Sequence, residues 1–207
     1  MFRLPLPDYN GRRARFRKEV IVRIIAGNNK GHSLKTVGGM ATRPTQDRVK
    51  EALFNIIGDH VEHARVLDLY AGTGSLGLES MSRGAISATF VDFSKNATTV
   101  LEANMAALRV KDCRILGIPV EKALRKLAVT NESFDLIFMD PPYGRNLVIH
   151  TLEMVFDLGI AARNARVVAE HESKYEPPKE IGDWFRIDLR KYGDTGISIY
   201  SCLSGGE

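Results

Sequence analysis

From residue 65 onward the chain alternates short apolar runs with longer stretches whose apolar residues recur every three or four positions. The short runs have strand length and the long ones helix length. A parallel sheet satisfies such an alternation, because each strand needs a crossover, usually helical, before its parallel neighbour can form. The predicted strands are Arg65 to Tyr70, Ala88 to Asp92, Cys113 to Leu116, Phe134 to Met139 and Arg166 to Glu170. The helices between them are Ser75 to Arg83, Ser94 to Leu108 (capped by Ser94), Val120 to Leu127 and Leu147 to Leu158. The end of the chain departs from this rule. Trp184 to Tyr192 and Gly196 to Leu203 flank a tight Gly193-Asp194-Thr195-Gly196 connection and read as an antiparallel hairpin. The expected fold is α/β, a doubly wound, mostly parallel seven-stranded sheet with an antiparallel C-terminal edge.

The N-terminal part has a different character. Residues 1–19 mix Pro, Gly and Arg without periodicity and read as a flexible basic arm. Residues 20–45 read as a β-hairpin and loop: Val20 to Ile25, the turn Gly27-Asn28-Asn29-Lys30-Gly31, and a return strand His32 to Val37. Residues 46–207 form the main domain, opened by a helix for which Thr45 is the expected cap. Charge follows the same division. Residues 1–50 hold 12 Lys/Arg and 3 Asp/Glu, whereas residues 51–207 hold 17 and 22, and the whole chain is only +4. Basic charge concentrated at one end of a chain points to a polyanionic partner. Arg12, Arg13, Arg15 and Arg17 on the arm, Lys30 and Lys35 on the hairpin, and Arg43 and Arg48 around the helix start are the expected nucleic-acid contacts. Phe16 lies among the arm cations, available for stacking.

Composition narrows the compartment. The 207 residues contain no apolar run near the ~20 that a membrane span needs, and the N-terminus lacks the apolar segment of a signal peptide. Cys113 and Cys202 fit neither a metal-site spacing nor a disulfide framework. A cytoplasmic monomer without a metal is the expectation.

At the first strand–helix turn stands Asp68-Leu69-Tyr70-Ala71-Gly72-Thr73-Gly74-Ser75-Leu76-Gly77. Gly72 and Gly74 let the main chain approach a ligand, and the helix start presents free N–H groups. Asp92, at the end of the next strand, can accept from both hydroxyls of a ribose. Those features suit NAD and S-adenosylmethionine equally. Asp68 favours the latter, since it can hold an ammonium group and would repel a pyrophosphate. Asp68, Tyr70, Ala71, Gly72, Gly74, Asp92 and Phe93 are the expected cofactor residues.

The second motif, Asp140-Pro141-Pro142-Tyr143, closes the apolar run Phe134 to Met139. Two prolines restrict their own φ angles and the residues before them, so the Asp140 carboxylate and the Pro141 carbonyl become fixed acceptors. Tyr143 adds a flat face. These groups suit a planar ring bearing an exocyclic amine: the tyrosine stacks and the acceptors take the amine protons. Strand ends beside the switch point of a doubly wound sheet share one crevice, so both motifs should face one ligand.

With the two motifs in this order the chain resembles class I S-adenosylmethionine-dependent amino-methyltransferases, which have a Rossmann-like fold. The likeness becomes narrower in Arg23-Ile24-Ile25-Ala26-Gly27, in Lys30-Gly31, and in Thr42-Arg43-Pro44-Thr45 followed by Asp47-Arg48-Val49 and Glu51-Ala52-Leu53-Phe54-Asn55. Together with Asp68 to Glu79 and Ser82-Arg83-Gly84-Ala85, these resemble the bacterial small-subunit (16S) ribosomal RNA guanine-N2 methyltransferase family over about residues 22 to 203. The resemblance implies S-adenosylmethionine as cofactor, and ribosomal RNA or a small-subunit assembly particle as partner. It implies Asp140, Pro141, Pro142 and Tyr143 as the catalytic motif. Leu116-Gly117-Ile118-Pro119 lacks the acid that many methyltransferases carry there, which leaves main-chain groups near Ile118 for the adenine. Rival readings are a DNA adenine-N6 or protein glutamine-N5 methyltransferase, and a non-catalytic RNA-binding ribosome assembly factor. Glu79 reads as an ordinary helix-face carboxylate, Trp184 as core, and Lys191-Tyr192-Gly193 as structural.

Overall fold

The computed structural model describes residues 22–37, 45–142 and 145–202. The basic arm with Arg12, Arg13, Arg15 and Arg17, the loop residue Arg43, and Tyr143 lie outside the described residues.

Two short strands, β1 (Val22–Arg23) and β2 (Ser33–Leu34), form an antiparallel hairpin and lead to helix α1 (Thr45–Ile57). The main domain then runs β3 (Arg65–Leu69), α2 (Ser75–Ser82), β4 (Ser87–Val91), α3 (Lys95–Leu108), β5 (Cys113–Leu116), α4 (Val120–Val129), β6 (Phe134–Met139), α5 (Arg145–Asp157) and β7 (Ala161–Glu172). Three antiparallel strands end it: β8 (Glu180–Ile181), β9 (Trp184–Tyr192) and β10 (Thr195–Cys202). The sheet order is β5-β4-β3-β6-β7-β10-β9-β8. All seven expected strands are present, and the two-residue β8 joins at the outer edge as an eighth. Among the described residues the hairpin ladder covers only 22–23 and 33–34, because the N–H groups of Ile25, Ala26, Asn28 and Asn29 bond to α2 instead.

Alternation along the strands fills both faces of the sheet. Val66, Phe90, Leu136, Phe138 and Val168 point to one side, where α1, α2, α3 and the hairpin cover them. Leu67, Leu69, Val91, Ile137, Met139 and Val167 point to the other, against α4 and α5. Helix α4 shows the pattern in its own sequence: Val120, Ala123, Leu124 and Leu127 recur at i, i+3, i+4 and i+7, and all four are buried. Trp184 is core, as expected, with its ring stacked 4.5 Å from that of Phe156.

The chain runs outward from β3 through β4 to β5, then crosses back to place β6 on the other side of β3. The switch point therefore lies between the ends of β3 and β6, where Leu69 pairs with Met139. A crevice beyond these strand ends is where such sheets take ligands.

Candidate active site

The turn after β3 is built by close approach. Tyr70 adopts a left-handed backbone (φ 60°), which costs a non-glycine residue of order 1 kcal/mol. Its hydroxyl is 2.9 Å from the Thr151 hydroxyl on α5, which ties the strained residue down. Gly77 has no room for a side chain: a Cβ there would lie 2.3 Å from the Phe90 ring and 3.1 Å from Asp68 Oδ2. The missing Cβ lets α2 sit directly on the sheet, and the Gly77 N–H donates to Asp68 Oδ2 over 2.9 Å.

Asp92 is held by main-chain donors on both oxygens. The Gly72 N–H donates to Oδ2 and the Ser94 N–H to Oδ1, each over 2.8 Å. Those bonds fix the carboxylate while leaving each oxygen a further lone pair. Phe93 beside it is 71% exposed, a large aromatic at the rim of the crevice. Ile118 follows β5 and is half-buried, and its N–H donates to Leu116 O over 2.9 Å. Asp68, Tyr70, Ala71, Gly72, Gly74, Asp92 and Phe93 are thus brought to one edge of the sheet, with Ile118 one strand further out.

Asp140 and Pro141 follow β6 on the same edge, with Pro141 buried and Pro142 exposed. Solvent reaches Asp140 from the crevice, but protein crowds its other sides and pushes its carboxyl up to about 6. Asp68 is almost wholly buried; burial, opposed by the Gly77 bond and aided by Asp140 and Asp92, raises it to about 7. Glu170 belongs to the same group, though no motif marks it in the sequence. Met139 pairs with Ala169 in the parallel β6–β7 ladder, so the next residues, Asp140 and Glu170, face the same side at neighbouring strand ends. Burial and then the Asp140 charge push Glu170 up to about 7, against a hydrogen bond from Thr195.

Four carboxyl groups therefore converge where β3, β4, β6 and β7 end. Such a crevice disfavours a pyrophosphate and suits a ligand with a cationic centre and vicinal hydroxyls. The donor set fits an S-adenosylmethionine-like molecule: Asp92 for ribose hydroxyls, Asp68 for an ammonium, and the 71–77 loop for close main-chain contact. Among the described residues no group of three or more His, Cys, Asp or Glu could hold a metal ion.

The expected nucleic-acid residues that are described, Lys30, Lys35 and Arg48, are all exposed. Glu79 is not the surface carboxylate its place on α2 suggested. It is fully buried and accepts from the N–H groups of Ile25 (2.8 Å) and Ala26 (3.0 Å) and from Arg83 Nε (2.8 Å). It pins the hairpin to the main domain. No local sequence signal marks it: Leu78 and Ser80 beside it are buried too, but only the fold shows that.

Residues 22–201 match the family model described as conserved hypothetical protein 95. The chain is 38% identical over 180 residues to YlbH of Bacillus subtilis (strain 168), provisionally named an rRNA methyltransferase, covering 86% of this chain and 98% of that one. It is 31% identical over 186 residues to ribosomal RNA small subunit methyltransferase D of Escherichia coli (strain K12), covering 90% and 92%. Among solved structures, yhhF from Escherichia coli, provisionally named a methyltransferase, superposes with a TM-score of 0.78 at 29% identity, covering 89% of this chain and all of that one.

Proposed function

This chain belongs to the conserved hypothetical protein 95 family and is an S-adenosylmethionine-dependent ribosomal RNA methyltransferase, and we propose that its acceptor is the exocyclic N2 amine of a guanine in the small subunit. The observation that carries the proposal is the placement of Asp140 and Pro141 at the β6 end, beside the loop and carboxylates that suit the cofactor.

The bound cofactor supplies an electrophilic methyl group on a sulfonium. The residues of the chain do the rest. Asp92 and the 71–77 loop hold the ribose side, and Asp68 the ammonium end. Asp140 and the Pro141 carbonyl accept the two N–H groups of the amine, whose lone pair is otherwise delocalised into the ring. Held so, the nitrogen keeps its lone pair free for the methyl group that the cofactor would supply, the C–S electron pair going to sulfur as the C–N bond forms. Orientation of this kind is worth roughly 7–11 kcal/mol at its upper end. The nitrogen then sheds a proton, which the Asp140 carboxylate, with its pKa near 6, can take and pass to Glu170 or water. Tyr143 is the stacking platform for the extruded base, replacing on the order of 1–3 kcal/mol of lost stacking. Lys30, Lys35, Arg43, Arg48 and the arginines of residues 1–19 bind the phosphate backbone.

The test is incubation with labelled S-adenosylmethionine and small-subunit RNA, total DNA and total protein, followed by hydrolysis of the labelled fraction. N2-methylguanosine is the expected product. Label in N6-methyladenine, or in a glutamine side chain, overturns the assignment.

A further inference from the structure

Two sets of side chains fasten the N-terminal segment 22–37 to the main domain, and they differ in where they lead. The first set sits on α2. Glu79 accepts from Ile25 and Ala26, Ser82 Oγ accepts from the Asn29 N–H (2.9 Å), and the same hydroxyl donates to Ala26 O (2.6 Å). These bonds make no contact with residues 71–75.

The second set consists of Lys50 on α1 and Asn104 on α3, which are 5% and 1% exposed. Lys50 Nζ donates to Arg23 O over 2.6 Å and to Ser75 Oγ over 3.3 Å, with Glu79 Oε2 3.3 Å away. Asn104 clasps Lys35 from both sides: Oδ1 accepts from the Lys35 N–H (2.8 Å) and Nδ2 donates to Lys35 O (3.0 Å). The same Nδ2 donates to Thr73 O over 3.0 Å. Each of these two buried side chains thus holds a main-chain atom of the hairpin segment with one bond and the cofactor loop or its helix start with another. They grip opposite ends of the segment, Arg23 before the hairpin turn and Lys35 after it. They also arrive from different helices. Burying an ammonium and an amide in this way is costly unless every partner is kept, so a shift of Thr73 or Ser75 strains the bonds to Arg23 and Lys35, and the reverse.

We propose that Lys50 and Asn104 are positioning residues that couple the two binding events, so that RNA held on the hairpin segment tightens the cofactor loop and cofactor in the loop tightens the grip on RNA. The inference rests on the reading of the chain as an RNA methyltransferase. Coupling between sites is reciprocal, so the gain in cofactor affinity caused by RNA must equal the gain in RNA affinity caused by cofactor.

The experiment measures the dissociation constant of S-adenosylhomocysteine for the full chain with and without saturating small-subunit ribosomal RNA, and the RNA constant with and without S-adenosylhomocysteine. Wild type should show the same factor in both directions, roughly 5-fold or more. Asn104→Ala and Lys50→Met should each bring that factor to about one while each ligand alone still binds. Ser82→Ala, which loosens the segment without touching the loop, should keep it. A thermal melt separates unfolded variants from uncoupled ones, and either of the two substitutions suffices if the other fails to fold. A factor of one in wild type, or an undiminished factor in a folded Asn104→Ala or Lys50→Met chain, overturns the coupling and leaves the methyltransferase reading intact. A labelled product other than N2-methylguanosine sinks the guanine assignment and leaves the coupling intact. RNA that does not bind at all removes both.

Discussion

The two ends of the parallel strands use the same residue types to opposite effect. At the N-terminal edge, a groove of about 500 Å3 is lined by Arg65, Cys113, Arg114 and Glu132, among others. Two carboxylates there each have their own arginine. Asp135 takes Arg65 Nε and Nη2 over 2.9 and 3.0 Å, and Arg114 donates to Glu132. Those guanidinium groups hold both acids below their usual range. At the C-terminal edge Asp68, Asp140 and Glu170 are crowded together, with no cation paired to them among the described residues, and are pushed upward. One edge has settled its charges within the chain. The other keeps them for something that binds, at a cost in stability.

The largest expected effect breaks that contrast at its centre. Asp140→Ala should slow single-turnover methylation by roughly 10²–10⁴-fold, because the lost acceptor matters most as the amine reacts. Binding of S-adenosylhomocysteine and RNA should change little. A variant near the wild-type rate would remove Asp140 from the chemistry.

Asp92→Ala comes next. It deletes the acceptor proposed for the ribose and leaves the Gly72 and Ser94 N–H groups without their partner. Calorimetric titration should find the cofactor bound about 10- to 100-fold more weakly, as expected from roughly 1.5–3 kcal/mol for a hydrogen bond to a charged group. Unchanged affinity would exclude it from the site.

How much of this crevice could be read from the sequence depends on how local each signal is. The glycine spacing from Gly72 to Gly77 and the prolines after Asp140 announce themselves within ten residues, and the structure sets both stretches at adjoining strand ends. Glu170 does not. It and Glu172 look alike at the end of one apolar run, and only the pairing of Met139 with Ala169 singles out the first. Glu79 failed for a similar reason: its partners lie 53 and 54 residues earlier, so its helix face looked free. Lys50 and Asn104 were invisible in the same way, since the carbonyls they hold leave no trace in side-chain pattern. The edge strand β8, two residues long, is below what periodicity can resolve.

The third prediction concerns pH. In the unfolded chain Asp68 gives up its proton near 3.8, while in the folded chain it keeps it to about 7. Between those values the folded state binds more protons, so this group lowers stability as pH rises from about 4 to 7, by at most about 1.4 kcal/mol per pH unit. Asp135 works in the other direction: its stabilisation is present above 3.8 and is lost as pH falls below it. Asp68→Asn should flatten the decline measured by denaturant titration from pH 4.5 to 7.5. A slope identical to wild type would show that Asp68 ionises without penalty.

The smallest effect belongs to the settled edge. Asp135→Asn removes the charge from a pair whose side chains are about two-fifths exposed, and such surface pairs contribute about 0.2–1 kcal/mol. Stability should fall by that much while methyl transfer is unaffected. Loss of activity in a folded Asp135→Asn chain would show that the two edges are not independent.

The strand order has a consequence for the protein as it is being made. Until β6 has emerged during synthesis, β3 is the rim of a three-strand sheet, with Val66, Leu67 and Leu69 lacking their second neighbour. An uncovered rim of apolar strand is the kind of surface on which nascent chains stick to one another. Asp140 lies one position past the strand that covers this rim, and Glu170 follows only with β7. The rim passes from β3 to β6, and β6 is covered only when β7 pairs, the step that also brings Glu170 beside Asp140, so a chain stopped short of residue 161 has neither a covered β6 nor the full set of carboxylates.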